Sequence, residues 1–368
     1  MKKKPFDNFH WGLAWSIAAL LAVGLINLYS ALSFWGESGA WVGRLFWSQC
    51  LWIGLGLGLM FLMISMDYRL WEKLGQSFYI FMIVLLVATV FFGREVGGNR
   101  SWLILGPLRI QPSEFAKLAT LMMLAKFFSD HPLPEGYGLK ELWKPMLLVG
   151  LPCGLILLQK DLGSSLFFPL IFVSLAWAAK LRRKTVVLFF LIISVSGVLG
   201  YQYALSPYQK ARILTFVNPT EDVRGTGYHL MQSKIAVGSG QIFGKGYLKG
   251  KINKLKFLPE RHTDFIFPVL AEEWGFVGSL MVLGLFASFL LASLSIAIRA
   301  RERFGSFLAF GIVALCFWQI IINLGGVLGI MPLTGVTLPF LSYGGSSTVA
   351  LLMGIGLLFN IHMRRFMF

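Results

Sequence analysis

Five runs along the chain, 143–158, 163–179, 185–204, 274–298 and 306–331, hold almost nothing but apolar side chains. A helix needs about 20 such residues to cross the hydrocarbon of a bilayer. At that depth every peptide group must bond within the protein, which leaves only helices and closed barrels. A barrel would show short alternating segments instead. Charged residues make up 14% of the 368-residue chain and hydrophobic ones 56%, whereas soluble domains carry about 25% charged. The pattern predicts an all-α polytopic integral membrane protein. Ten spans are predicted, near 10–31, 43–65, 76–93, 113–128, 143–158, 163–179, 185–204, 265–298, 305–331 and 344–362. The first is too long, and too poor in cleavage signals, for a removed signal peptide.

Lys and Arg in short loops set the orientation, because cytoplasmic loops hold the excess. The clusters are Lys2-Lys3-Lys4, Lys180 with Arg182, Arg183 and Lys184, then Arg299, Arg301 and Arg303, and finally Arg364 and Arg365. With ten spans all four fall on one side, so both termini are expected in the cytoplasm. The chain reads as one membrane domain, 1–368, with a large outer loop, about 205–265, between spans seven and eight. That loop carries ten basic residues against Glu221, Asp222, Glu260 and Asp264, a net +6 of the chain's +16. Long loops escape the orientation rule. The charge therefore suits an anionic partner at the outer surface, or simply acidic lipid headgroups. Nucleic acid is not expected on that side. Cys50, Cys153 and Cys316 lie in or beside apolar spans; their odd number and unpaired spacing read as buried free thiols.

Three outer connections break the helical pattern: 93–114, the loop 205–265, and 329–347 with Pro and Gly at membrane depth. Such backbone is tolerated where it is buried in protein or lines a wet cavity, so a cavity open to the outer side is expected. Met231 to Val237 could form a helix lying on the membrane. The stretch GSGQIFGKG resembles a phosphate loop, but no strand precedes it and the spacing is wrong. A nucleotide site is rejected.

Ionisable groups near spans are functional candidates by default. Asp264 stands where the polar PERHTD meets Phe265-Ile266-Phe267. It could serve as a base or merely cap the next helix. His262 alone is more often a hydrogen-bonded structural histidine, and Arg261 reads as a lipid or phosphate contact. In QPSEFAKLA, Pro112 suits a first helical turn. Glu114 then meets the dipole there, and Lys117 shares its face. The pair is either a salt bridge carrying two charges into the membrane or a polar patch on a cavity wall. Glu272 and Glu273 cannot both face one cavity; pairing and function weigh equally. Trp102 fits an interfacial aromatic, and Asp161 a cap.

Taken together, NLGGVLGIMPLTGVTLPFLSYGGSS at 323–347, GGNRSWLILGPLRIQPSEFAKLA and PERHTDFIFPVLAEEWG resemble three blocks of the SEDS family of shape, elongation, division and sporulation proteins. The resemblance covers nearly the whole chain. It is nearest the elongation branch, since division members usually carry Ala where Arg261 stands. The family usually has Pro in place of Lys160 and Ala in place of Pro268. The resemblance implies a peptidoglycan glycosyltransferase, multi-pass in the bacterial cytoplasmic (inner) membrane, that polymerises lipid II, the undecaprenyl-pyrophosphate disaccharide-pentapeptide. It implies Asp264 as the base. Glu114, Lys117, Trp102, Arg109, Gln111, His262, Arg261 and Arg212 are implied as supporting or substrate-binding residues. A divalent cation, Mg²⁺ or Mn²⁺, is expected without an organic cofactor. Expected partners are a class B penicillin-binding protein transpeptidase, elongation-complex proteins and membrane lipids. A lipid II flippase, the division paralogue and a recruiting scaffold stay open as alternatives.

Overall fold

In a computed structural model of the chain, the described residues are 9–33, 40–96, 98–106, 108–189, 202, 210, 226–250 and 260–365. Eleven helices can be named among them: α1 Trp11–Ser33, α2 Ala40–Ser65, α3 Tyr68–Phe92, α4 Pro112–Asp130, α5 Leu139–Leu158, α6 Leu162–Ser165, α7 Phe167–Ala178, α8 Thr226–Ser239, α9 Ile266–Arg299, α10 Arg303–Leu328 and α11 Gly345–Arg364. Seven are long and apolar enough to cross a membrane: α1, α2, α3, α5, α9, α10 and α11. The predicted span 113–128 is α4, whose charged residues dilute its apolar signal although most of its length is buried. The predicted span 163–179 is split into α6 and α7 at Leu166. Residues 183–189 are helical, and the rest of the predicted span 185–204 lies almost wholly outside the described residues.

Local chemistry sets several boundaries. The Asp67 side chain caps α3 by accepting the Arg69 amide at 3.0 Å. Pro112 opens α4, where its missing N–H has no helical partner to lose. Gly329 closes α10 in the left-handed conformation, φ 72°. The bundle centre is made by α4, α10 and α11, with α2 packed along α11, α3 along α4, and α9 between α1 and α10.

The connection 93–114 holds one feature that apolar periodicity does not signal. β1 Arg94–Val96, β2 Asn99–Leu105 and β3 Leu108–Ile110 form an antiparallel sheet in the order β1-β2-β3. Leu105 pairs with Leu108, so a two-residue turn joins β2 to β3. That turn begins at Gly106 with φ 62°, the positive value that tight hairpins require.

A second feature lies in α9, which breaks at Gly275 (φ 69°, ψ −163°). The break frees backbone groups at membrane depth, and the segment 241–246 takes them up. The Lys245 and Gly246 amides donate to the Glu272 and Glu273 carbonyls at 3.0 Å each. The Phe276 and Val277 amides donate to Gln241 and Ile242 at 2.8 and 3.1 Å. GSGQIFGKG is therefore a splice between the outer loop and a broken helix. Its glycines allow the approach: a Cβ on Gly244 would lie 2.1 Å from the Glu273 carbonyl oxygen, and one on Gly275 2.2 Å from the Gly244 nitrogen.

This contact predicts that Gly275→Ala and Gly244→Ala each destabilise the protein by about 1–3 kcal/mol. The check is thermal melting together with hydrogen exchange at residues 245, 246, 276 and 277. Melting and exchange matching the wild type would refute the splice.

Candidate active site

Residues 260–265 make a tight turn that ends at α9. Phe265, not Asp264, occupies the N-cap position, so Asp264 stands one residue outside the cap, half-buried. Arg261 is enclosed, 1% exposed, rather than presented to solvent. Burial pushes its guanidinium down to about 10, which still leaves it protonated at neutral pH. Burial likewise lowers the His262 imidazole below its ordinary value, against the opposing pull of Glu260, and the ring lies 5.9 Å from that of Tyr343. The carbonyls of the turn are occupied. Tyr343 N–H donates to His262 O at 2.8 Å, Ser342 Oγ to Thr263 O at 2.6 Å, and Asn323 Nδ2 to Asp264 O at 3.0 Å.

Glu114 and Lys117, in the first turns of α4, form the expected i,i+3 pair at 2.9 Å. Lys117 is buried, and its Nζ lies 4.6 Å above the Phe167 ring. An ammonium at this depth is costly unless paired, and here the carboxylate and the ring face both offset it. Beside the pair is a void of about 20 Å³, also lined by Cys316, Gln319 and Ser347. Gln319 and Ser347 also line a neighbouring void of about 10 Å³ that reaches Thr337 and Ser342. Among the described residues these are two small adjoining spaces. Ser342 lines the second void and donates to the turn that carries Asp264.

Gln111 precedes α4 and reaches Asp161 Oδ2 at 3.1 Å and Ser164 Oγ at 3.4 Å. Asp161 caps α6 by accepting the Ser164 amide at 3.0 Å, as its sequence position suggested. Lys160 has φ 63°, a value closed to the Pro that the family usually places there. Pro268 falls in the first turn of α9, where it is tolerated. Trp102 sits half-buried on β2 opposite Arg94, and Arg109 is exposed on β3. Arg212 lies outside the described residues. Glu272 and Glu273 are both buried and engaged: Glu272 accepts from Lys245 Nζ at 2.7 Å, and Glu273 from Ser30 Oγ at 2.5 Å. Pairing, not an open site, accounts for them. Among the described residues no three His, Cys, Asp or Glu gather to hold a metal ion.

Sequence reasoning missed Asn323, Ser342, Gln319 and Ser347. They are neutral and small, and only their place as isolated polar residues in apolar stretches could have flagged them.

Comparison with known proteins gives a consistent result. The family of FtsW, RodA and SpoVE, described as cell cycle proteins, matches residues 12–366. The peptidoglycan glycosyltransferase MrdB of Escherichia coli (strain K12) is 38% identical over 364 residues, covering 99% of this chain and 96% of its own. A chain from a peptidoglycan synthase complex that coordinates polymerization and crosslinking superposes with TM-score 0.81 at 33% identity, covering 97% of this chain and 98% of that one. The rod shape determining protein RodA of Thermus thermophilus gives 0.72 at 32% identity, with the same coverage. The chain belongs to the FtsW, RodA and SpoVE family of cell cycle proteins, the SEDS family that its motifs resemble.

Proposed function

We propose that this chain is a peptidoglycan glycosyltransferase of the bacterial cytoplasmic membrane, polymerising lipid II into β-1,4 glycan strands for elongation and rod shape. The observation that carries the reading is Asp264. It is half-buried at the mouth of a membrane helix, on a turn whose carbonyls are fixed, in a chain alignable end to end with a named peptidoglycan glycosyltransferase. The Asp264 carboxylate takes the proton from the 4-hydroxyl of the acceptor GlcNAc. The hydroxyl oxygen then bonds to the anomeric carbon of the donor MurNAc. The bond from that carbon to undecaprenyl pyrophosphate breaks, the leaving group keeps the electron pair, and the α-linked donor becomes β-linked. Positive charge at the leaving group favours this step; Arg109 is exposed on β3, Arg212 is the other assigned cation, and Arg261, enclosed in the turn, keeps a supporting role. Trp102 is assigned packing on the glycan, and Gln111, His262, Glu114 and Lys117 a supporting role. The described residues do not build a metal cage. A divalent cation would come with the substrate phosphates and one or two carboxylates, and no step here runs through it. A class B penicillin-binding protein is the proposed partner, in line with the synthase complex to which one structural relative belongs.

Purified protein with its partner transpeptidase made inactive, given fluorescent lipid II and Mn²⁺, should yield glycan ladders. Asp264→Asn and Asp264→Ala should lower the rate at least about 100-fold, the usual share of a general base. Ladders from both variants would remove Asp264 from the chemistry. Lipid II crossing liposomes without ladders would favour transport.

Lys117→Met strands a largely buried carboxylate and should cost about 2–4 kcal/mol of stability, somewhat less than for a fully buried pair. The double variant Glu114→Gln/Lys117→Met should regain most of that stability but not the activity. Melting curves beside ladder assays separate the two effects, and full activity of the double variant would leave the pair a purely structural role.

A further inference from the structure

We propose that Asn323, Ser342 and the Tyr343 amide form a positioning frame that fixes three successive carbonyls and thereby aims the Asp264 carboxylate. This rests on the reading of Asp264 as the base. The donors come from two separate elements, α10 and the segment that precedes α11, yet they land on residues 262, 263 and 264 in order. A loop merely held down by packing has no need of a donor at every consecutive carbonyl.

The two side chains are themselves locked. Asn323 is 5% exposed, and its Nδ2 also donates to Val336 O at 2.7 Å. Only the amide nitrogen can face two carbonyls, so the orientation of Asn323 is fixed. Ser342 is 4% exposed, and its Oγ accepts from the Leu338 amide at 2.8 Å while donating to Thr263. One hydroxyl thus joins the two strands of the frame, and its proton has a single direction left.

Backbone strain is present on both sides of the contact. Glu260, at the start of the turn, has φ 49°, and Phe340, two residues before Ser342, has φ 65°. Neither is glycine, and such conformations persist only where the surroundings over-determine them. The surroundings do so here. A Cβ on Gly24 of α1 would lie 2.2 Å from the Phe340 carbonyl oxygen, so that helix backs the segment directly. The Phe340 ring packs edge-on to Phe289 at 5.1 Å. Asn27, on the same α1, donates to Ile266 O at 2.9 Å. α1 therefore holds the frame on one side and the first residue of α9 on the other, with Asp264 between them. The backbone that carries the aspartate is thereby fixed, which is a condition a base needs to meet one hydroxyl repeatedly.

The test uses the full chain with its inactive-transpeptidase partner and initial rates across lipid II concentrations. Asn323→Asp swaps the shared donor for oxygens facing two carbonyls. Ser342→Ala removes a single oxygen and keeps the question open to measurement if the other variant does not assemble. Both should lower kcat about 10- to 100-fold, the scale of a small misplacement, with KM for lipid II within about twofold. Ser342→Thr, which keeps the hydroxyl, should recover most of the rate. A purely structural role predicts a lower melting temperature with wild-type kcat per folded molecule, and that result overturns the frame. Asp264→Asn, assayed in parallel, separates the two readings. If it is inactive while the frame variants are unimpaired, only the frame fails. If it is active, the base assignment fails, and the frame with it.

Discussion

A peptide group at membrane depth has no water to bond, so every break in a helix must be closed by another piece of the chain. This constraint organises the irregular half of the molecule. The break at Gly275 is closed by residues 241–246. The Val327 carbonyl near the end of α10 is closed by Ser233 of α8 at 2.7 Å. The turn 262–264 is closed by Asn323, Ser342 and Tyr343. Each irregular segment is thus the hydrogen-bond partner of another, or of a helix end. None can shift alone without stranding groups that are expensive to leave unpaired. Residues 226–246, the start of α9 and the segment after α10 behave as one construction.

Charge follows the same logic with larger penalties. An ionised side chain at the bilayer centre costs about 2.5–3.5 kcal/mol even by the lenient insertion scale. Lys117 has Glu114 at 2.9 Å and Glu272 has Lys245 at 2.7 Å. The two pairs serve different ends. Lys245 belongs to the outer loop and Glu272 to α9, so their contact rivets the splice from the side-chain side. Glu114 and Lys117 sit on one helix and join no elements; they present charge to a void. At the opposite end of the bundle Glu302 bonds Arg69 and Tyr68, and Asp67 approaches Arg364 at 3.8 Å, tying α3 to the neighbouring helix ends.

Much of this was legible in the residues. Apolar runs place nearly every long helix because the membrane demands about 20 apolar residues and little else. Glu114–Lys117 was legible because i,i+3 spacing fixes a shared face. Asp161 was legible as a cap. The sheet at 94–110 was not, since three short strands leave no long alternation. The splice was not either: glycines advertise permissive backbone, but which carbonyl they approach is a tertiary fact. That is why a stretch resembling a phosphate loop turned out to seat against the main chain of α9. The frame around Asp264 was hidden for a similar reason. Asn323 and Ser342 act through the backbone of residues far away in sequence, and a neutral side chain carries no charge pattern to reveal it.

The volumes add a last step. A water needs about 10–15 Å³, so the void of about 20 Å³ beside Glu114 and Lys117 accommodates one and no sugar ring. Asp264 is half-buried and needs no interior space to be reached from the helix end. Three held carbonyls fix the backbone of the Asp264 turn, and the Gln111 amide, donating to Ser346 Oγ at 2.9 Å, likewise ties the start of α4 to α11.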